Sequence, residues 1–367
     1  MRSLRLHILG LPNAPVTTDD AFSLCGFSAA GGRFVRMMKD LGHHVTFYGA
    51  EGSNIPCDEF VPIITDDVRK KLLGPSSYQH ARIDYKTPLF QVSNANAIRE
   101  INARQRHQDF LMTIGGRAQM PIFEACQNVK GRNMLGVEYS IGYVGNFANC
   151  RVFESYAWMH NCYGEQRIAN GRFFDDVIPV FFDPTRFEFN APEDYYLFVG
   201  RLIHEKGVGV ACQAATAAGV KLKIIGHDAT TKGNITGGHE FLGAVDWRTR
   251  NEVMSKAKAV LCPTLYLEPF NCVAVEAQLC GTPVISTDWG GFTETVQHGV
   301  TGYRCRMLQD FVDGIKAVEN LDRWNIRCRA IEKYSMDAIR PRYETYLRRL
   351  DTLWAKGWET LRPPASK

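Results

Sequence analysis

Short apolar runs alternate along this chain with stretches whose apolar positions recur every three to four residues. "RLHILG" (5–10) reads as a strand, "CGFSAAGGRFVRMMKDLG" (25–42) as a helix closed by Gly42, and "HVTFYG" (44–49) as the next strand. Together they form one βαβ unit. "FLMTI" (110–114) and "NMLGVEY" (133–139) predict further strands, "RVFESYAWMHNCYG" (151–164) a helix, and "DVIPVFF" (176–182) another strand. The polar stretch "DPTRFEFNAPEDY" (183–195) breaks the pattern and reads as a linker. The alternation restarts with "YYLFVG" (195–200), "KLKIIG" (221–226), "KAVLCPT" (258–264) and "PVIST" (283–287). Such alternation predicts parallel sheets covered on both faces. The fold class is therefore α/β, with two Rossmann-like domains of mainly parallel strands, 1–188 and 189–344. The tail "RPRYETYLRRLDTLWAKGWETLRPP" (340–364) predicts an amphipathic helix with aromatic anchors. No internal repeat or low-complexity tract interrupts this scheme.

The length of 367 residues suits two domains. A net charge of +4 with both signs spread along the chain gives no reason to expect nucleic acid or a charged membrane as partner. Acidic residues interleave the basic tail, which argues against a membrane-surface helix. No run reaches the roughly 18 apolar residues of a membrane span. The start, "MRSLRLHILGLP", reads as a first strand rather than a signal peptide. The 11 cysteines are odd in number, form no CxxC pair and sit partly inside apolar runs, as in "AVLCPT". Free thiols in a reducing, cytoplasmic setting are the expectation.

The densest chemistry lies in "LEPFNCVAVEAQLCGTPVIS" (267–286). It follows the strand "KAVLCPT". Pro269 suits the first turn of a helix, and Gly281 suits a left-handed cap after Cys280. Ligands of open α/β sheets bind beyond the carboxyl ends of the strands, so Glu268 is aimed at such a crevice. The amides of Phe270, Asn271 and Cys272 open into the same space, where a helix N-terminus favours anions. Eight residues along a helix leave Glu276 about 80° around from Glu268 and two turns deeper, enough to reach a different part of one elongated ligand. Earlier, "FVGRLIHEKG" (198–207) sets Arg201 and Lys206 just past a strand, a candidate diphosphate clamp. Each feature alone also fits a capped helix or a solvated charge.

Taken together, "VGRL…EKG", the E-x7-E of "EPFNCVAVE", "AQLCGTPVIS" and "GGFTETVQHGVTGY" resemble the retaining glycosyltransferases of family 4, over roughly 195–305. "GGRFVRMMKDLGHHVTFYG" agrees more loosely. The resemblance implies the GT-B fold, with the two domains facing across a cleft and the last helix, about 345–367, packed back onto the first. It implies a nucleotide-sugar donor, UDP-sugar first and GDP-sugar next, bound to the second domain, with a glycan or other hydroxyl acceptor at the first. Arg201 and Lys206 would bind the diphosphate, in place of a metal. Glu268 would hold donor-sugar hydroxyls and Glu276 the ribose. Gly200 and the amides of Phe270, Asn271 and Cys272 would line the donor. Gly290 and Gly291 would form a close turn, with Glu294 in the next helix. No cofactor beyond the nucleotide sugar, and no metal, is implied.

The chain departs from the family in two places. Asn271 stands where many relatives have glycine, which narrows the room beside the donor. No clear counterpart of the family histidine is found. "GVEYSIGYVGNF" (136–147) occupies its place, and Glu138 and Tyr139 are candidates for acceptor or sugar contact. Gly31 and Gly32 in "CGFSAAGG" would allow close approach of a ligand or of the other domain. His43, His44, Glu154 and His160 carry no motif. G-x-G-x-x-G is missing after the first strand, so dinucleotide binding is poorly supported. Two other readings stand beside transfer. One is a nucleotide- or glycan-binding module without catalysis. The other is a sugar-nucleotide epimerase or a phosphorylase on the same architecture.

Overall fold

The structure is a computed structural model that describes residues 2–17, 26–74, 82–129, 132–227 and 235–356. Two compact units emerge. Unit 1 takes residues up to 154, residues 162–178 and those from 339 onward; unit 2 takes 155–161 and 179–338.

The strands of unit 1 are β1 (Arg5–Leu9), β2 (His44–Ala50), β3 (Glu59–Ile64), β4 (Phe110–Thr113), the two-residue partners β5 (Asn128–Val129) and β6 (Arg132–Asn133), β7 (Leu135–Ile141), β8 (Cys150–Phe153) and β9 (Asp175–Val177). Seven of them form a parallel sheet in the order β3-β2-β1-β4-β7-β8-β9. Leu6, Ile8 and Leu9 of β1 are all buried, as a strand covered on both faces requires. Ile8 lies in register with Phe47 and Met112. A buried histidine ties the centre together: His7 Nε2 is 2.9 Å from Asp109 and Nδ1 is 2.8 Å from Tyr48 Oη. The helices are α1 (Gly26–Asp40), α2 (Asp66–Leu73), α3 (Pro88–Arg104) and α4 (Met120–Cys126), while α5 (Tyr156–Glu165) starts in unit 2 and enters unit 1 at Cys162.

Unit 2 has β10 (Tyr196–Val199), β11 (Leu222–Ile225), β12 (Glu240–Gly243), β13 (Val260–Cys262), β14 (Val284–Thr287) and β15 (Gly302–Cys305). They form a parallel sheet in the order β12-β11-β10-β13-β14-β15. Its helices are α6 (Val208–Ala218), α7 (Trp247–Lys256), α8 (Cys272–Leu279), α9 (Phe292–Thr295), α10 (Leu308–Ala317) and α11 (Arg323–Tyr334). One core packs α8 and Tyr334 on the sheet; a second, on Leu222 and Ile285, gathers Ala211, Phe311 and Ile315.

The last helix, α12 (Met336–Lys356), belongs to unit 1 from Ile339 onward. Tyr343 meets Phe34 edge-on at 5.0 Å, His43 Nε2 is 2.9 Å from Glu344, and Tyr346 donates to the carbonyl of Phe174 at 2.7 Å. The rest of the predicted tail, and Cys25 at the head of the predicted first helix, lie outside the described residues. No helix among the described residues is long and apolar enough to cross a membrane.

Several elements differ from their sequence reading. Residues 151–164 do not form one helix: Cys150–Phe153 is β8, and α5 starts at Tyr156. Arg151 misled the pattern. It is fully buried, ion-paired with Asp175 of β9 at 2.5 Å and set over the Phe153 ring at 5.2 Å. Of the predicted strand 176–182 only Asp176 and Val177 lie in a strand, β9, at the edge of the sheet. The unforeseen β3 is the other edge and carries Pro62, which an edge strand tolerates.

Candidate functional site

In unit 2 the strand order reverses between β10 and β13, and ligands of open α/β sheets bind at such a switch point. The loops leaving these two strands carry the candidate residues. After β10 come Gly200 and Arg201, then a short turn, His204–Lys206, closed by Gly207. Gly207 has φ +74°, and a Cβ there would lie 2.0 Å from the carbonyl oxygen of Pro263. Only glycine lets the β10 loop rest on the β13 loop. That contact brings Lys206 to Glu268, with Nζ 2.6 Å from Oε2. Tyr266 donates its hydroxyl to Oε1 at 3.0 Å, and Asn271 Nδ2 donates to Oε2 at 3.1 Å. The Lys206 ammonium also lies 5.0 Å from the centre of the Tyr266 ring. Burial pulls the Lys206 pKa down, but Glu268 and Tyr266 outweigh it and hold the ammonium above the ordinary lysine range. Glu268 is only 6% exposed, so three donors fix its orientation. Arg201 is exposed and has no ion pair with a described residue.

Helix α8 starts later than Pro269 suggested. Its N-cap is Asn271, at φ +67° and ψ 85°, and Asn271 Oδ1 accepts from the amide of Ala274 at 2.9 Å. Asparagine is among the few non-glycine residues that visit this left-handed region readily. The side chain that replaces glycine is thus turned toward Glu268 and Ala274. The ring of Phe270 is buried in the core against Tyr334, at 5.7 Å, which leaves only its main chain for a ligand. Cys272 is partly buried.

Glu276 lies deeper in α8 and is 8% exposed. Arg250 of α7 places Nη2 3.1 Å from its Oε2. The pair is close enough for charge attraction but off the line of a hydrogen bond, and that oxygen has no hydrogen-bond partner among the described residues. A buried oxygen with spare accepting capacity is the kind of group a ligand hydroxyl satisfies. Gly290, at φ +60°, and Gly291 press on the other side of Glu268: a Cβ on Gly290 would come within 2.7 Å of its amide nitrogen, and the Gly291 amide donates to its carbonyl at 2.7 Å. Glu294 in α9 accepts from the amides of Tyr156 and Ala157 at 3.0 and 2.8 Å, capping α5. Sequence reasoning missed Tyr266 and Arg250. Tyr266 had a signal, an aromatic hydroxyl two positions before the carboxylate. Arg250 had none, since its partner is 26 positions away.

The candidates in unit 1 need correction. Glu138 is 0% exposed, and Tyr143, the Phe147 amide and the Ala148 amide donate to its two oxygens at 3.0, 2.9 and 3.1 Å. Burial pushes its pKa up against these bonds. Tyr139 is 1% exposed and stacked on Phe34 at 4.1 Å, its hydroxyl without a hydrogen-bond partner among the described residues. Neither side chain is open to an acceptor. Gly32 serves packing, since a Cβ there would meet Val16 at 2.9 Å, and a Cβ on Gly31 would lie 3.8 Å from the Tyr139 hydroxyl. Among the described residues no three His, Cys, Asp or Glu side chains are placed to hold a metal ion, and the ten cysteines that are described form no disulfide with one another.

Residues 181–335 match the model of the family described as glycosyl transferases group 1. Glycogen synthase of Mycobacterium tuberculosis is 35% identical over 122 residues, which is 30% of this chain and 29% of that protein. The chain thus matches under a third of this relative's length. Among solved structures, AviGT4, a glycosyltransferase involved in avilamycin A biosynthesis, superposes with a TM-score of 0.68 at 19% identity, covering 95% of this chain and 98% of that one. Anabaena HepE in complex with UDP and glucose superposes with a TM-score of 0.67 at 15% identity, covering 94% and 99%. The chain therefore has the GT-B fold, and its residues 181–335 match the glycosyl transferases group 1 family model.

Proposed function

We propose that this chain moves a glycosyl group from a nucleoside-diphosphate sugar to a hydroxyl acceptor, with retention of anomeric configuration and without a metal ion. Unit 2 binds the donor and unit 1 the acceptor. The observation that carries this reading is the Lys206–Glu268 pair, fixed by Tyr266 and Asn271 at the β10/β13 switch point. UDP is the favoured nucleotide and GDP the next. HepE, of the same fold, was solved with UDP and glucose. The free thiols support a reducing, cytoplasmic setting.

In this mechanism the bond from the anomeric carbon to the diphosphate oxygen breaks, and the acceptor oxygen bonds to the same face. The acceptor proton passes to the departing phosphate. The transition state is oxocarbenium-like, and negative charge grows on the leaving diphosphate. Glu268 neutralises much of the charge of Lys206, so Arg201 brings the uncompensated cation. Lys206 still has N–H groups to offer the phosphate. Glu268 accepts from a donor-sugar hydroxyl, and the spare oxygen of Glu276 accepts from the ribose. The test is thermal unfolding with UDP, GDP and their sugars, each with and without EDTA. A ligand at about 100 times its Kd adds roughly 2.7 kcal/mol. A shift with one nucleotide family that EDTA leaves intact is the expected result. No shift with any nucleotide would overturn the donor-site assignment.

A further inference from the structure

Unit 1 has its own switch point, between β1 and β4. A cavity of about 430 Å³ lies there, lined by the loop after β4, the loop after β7 and the start of α1. Its walls are aromatic: Phe27 and Tyr143 meet at 5.9 Å, and Tyr85 lies beside them. Its charged groups are Arg117, Lys86 and Asp84. Asp84 is already engaged, by Arg82 at 2.9 Å and by the amide of Lys86 at 2.9 Å. Arg117 and Lys86 are exposed and have no ion pair with a described residue. Lys86 Nζ sits 5.8 Å from the centre of the Tyr85 ring. Ile83 and Val144, at 43% and 55% exposure, present apolar surface beside the cavity.

The walls are built to stay in place. Gly116 has φ +56°, and a Cβ there would lie 2.7 Å from the Tyr143 ring, so glycine lets that ring pack against the β4 loop. The Tyr143 hydroxyl is held by the buried Glu138. Gly145 has φ +78°, and a Cβ there would lie 3.4 Å from the Arg117 side chain. Aromatic faces suit the apolar face of a sugar or polyol ring, and a guanidinium with an ammonium beside it suits an anion.

We propose that this cavity is the acceptor site, and that it takes a sugar or polyol ring carrying a phosphate or carboxylate group. The inference rests on the transfer reading above and names its acceptor class. Arg117 and Lys86 hold the anionic group, while Phe27, Tyr85 and Tyr143 hold the ring.

The experiment measures binding by thermal shift, without nucleotide, for glucose, glucose 6-phosphate, glucuronate, a polyprenyl-pyrophosphoryl sugar in detergent, and inorganic phosphate. The wild type is compared with Arg117→Ala and Lys86→Ala, both at exposed positions. Binding of a soluble or a lipid-linked anionic sugar, at least tenfold tighter than glucose and weakened tenfold in either variant, is the expected result; the two arms tell the sources apart. UDP-sugar binding is followed in parallel and stays unchanged in both variants. Equal binding of neutral and anionic sugars, binding of phosphate alone with no gain from the ring, or a preference that survives both substitutions would each overturn the inference. Failure of the donor reading shows separately, as loss of the UDP response in the wild type.

Discussion

At the scale of single residues, Glu268 shows how one carboxylate is made specific. Three donors from three positions, Lys206, Tyr266 and Asn271, converge on its two oxygens. Removing the cation has two separable effects. Lys206→Ala leaves Glu268 buried without its counter-charge. The cost is about 2 kcal/mol, below the 3–5 kcal/mol of a fully buried broken pair, because two donors remain. In the proposed mechanism it also removes stabilisation of the leaving group, for which a 10²–10³-fold fall in turnover is the expected scale. Lys206→Met combined with Glu268→Gln regains most of the stability in urea melts but none of the turnover. If the double variant transferred sugar normally, neither residue would belong to the chemistry. Asn271 tests a different property. Alanine at its positive φ meets about 1 kcal/mol of backbone strain and loses the cap, whereas glycine loses the cap alone. The urea midpoint of Asn271→Ala should therefore fall well below that of Asn271→Gly. Equal midpoints would mean that the left-handed backbone is not what selects asparagine here.

At the scale of elements, most of the strands could be read because parallel strands buried on both faces are continuous apolar runs. β8 could not, because Arg151 sits in the middle of it and its neutralising Asp175 lies 24 residues later. β3 was hidden by Pro62, which only an edge position excuses. The candidate site was legible where its residues follow a strand closely, as Arg201, Lys206 and Glu268 do. It was not where the partner comes from elsewhere in the fold, as with Arg250 on Glu276, or where burial decides, as with Glu138 and Tyr139. Helix caps also belong to this scale. Asp246 caps α7, accepting from the Thr249 amide at 2.9 Å, and that bond and the Thr249 hydroxyl hold its carboxyl below the ordinary range. A depressed acid stabilises the fold above its unfolded pKa and loses that contribution as pH falls through its folded value. The melting deficit of Asp246→Ala should be full at pH 7 and shrink as the pH falls below about 4. A deficit that stays constant down to that range would show that the charge has no part in the cap.

At the scale of the whole molecule, unit 1 is discontinuous in sequence. Its α1 and β2 side is covered by residues from 339 onward, where Tyr343, Tyr346, Leu347 and Leu350 are all buried. A fragment of residues 1–178 should therefore expose an apolar stripe and melt early or aggregate, and adding a peptide of residues 336–356 should raise its melting temperature. A fragment as stable as the whole chain would show that α12 contributes little to unit 1. The same discontinuity sets an order of events during synthesis. Unit 2 is almost complete in one stretch, 179–338, whereas unit 1 waits for its last helix. At about 5–20 residues per second, those 160 residues keep the first unit unfinished for roughly 8–32 s after its last sheet strand leaves the ribosome. During that interval the face around Phe34 and His43 is open, and a chaperone or a second nascent chain has the time to find it.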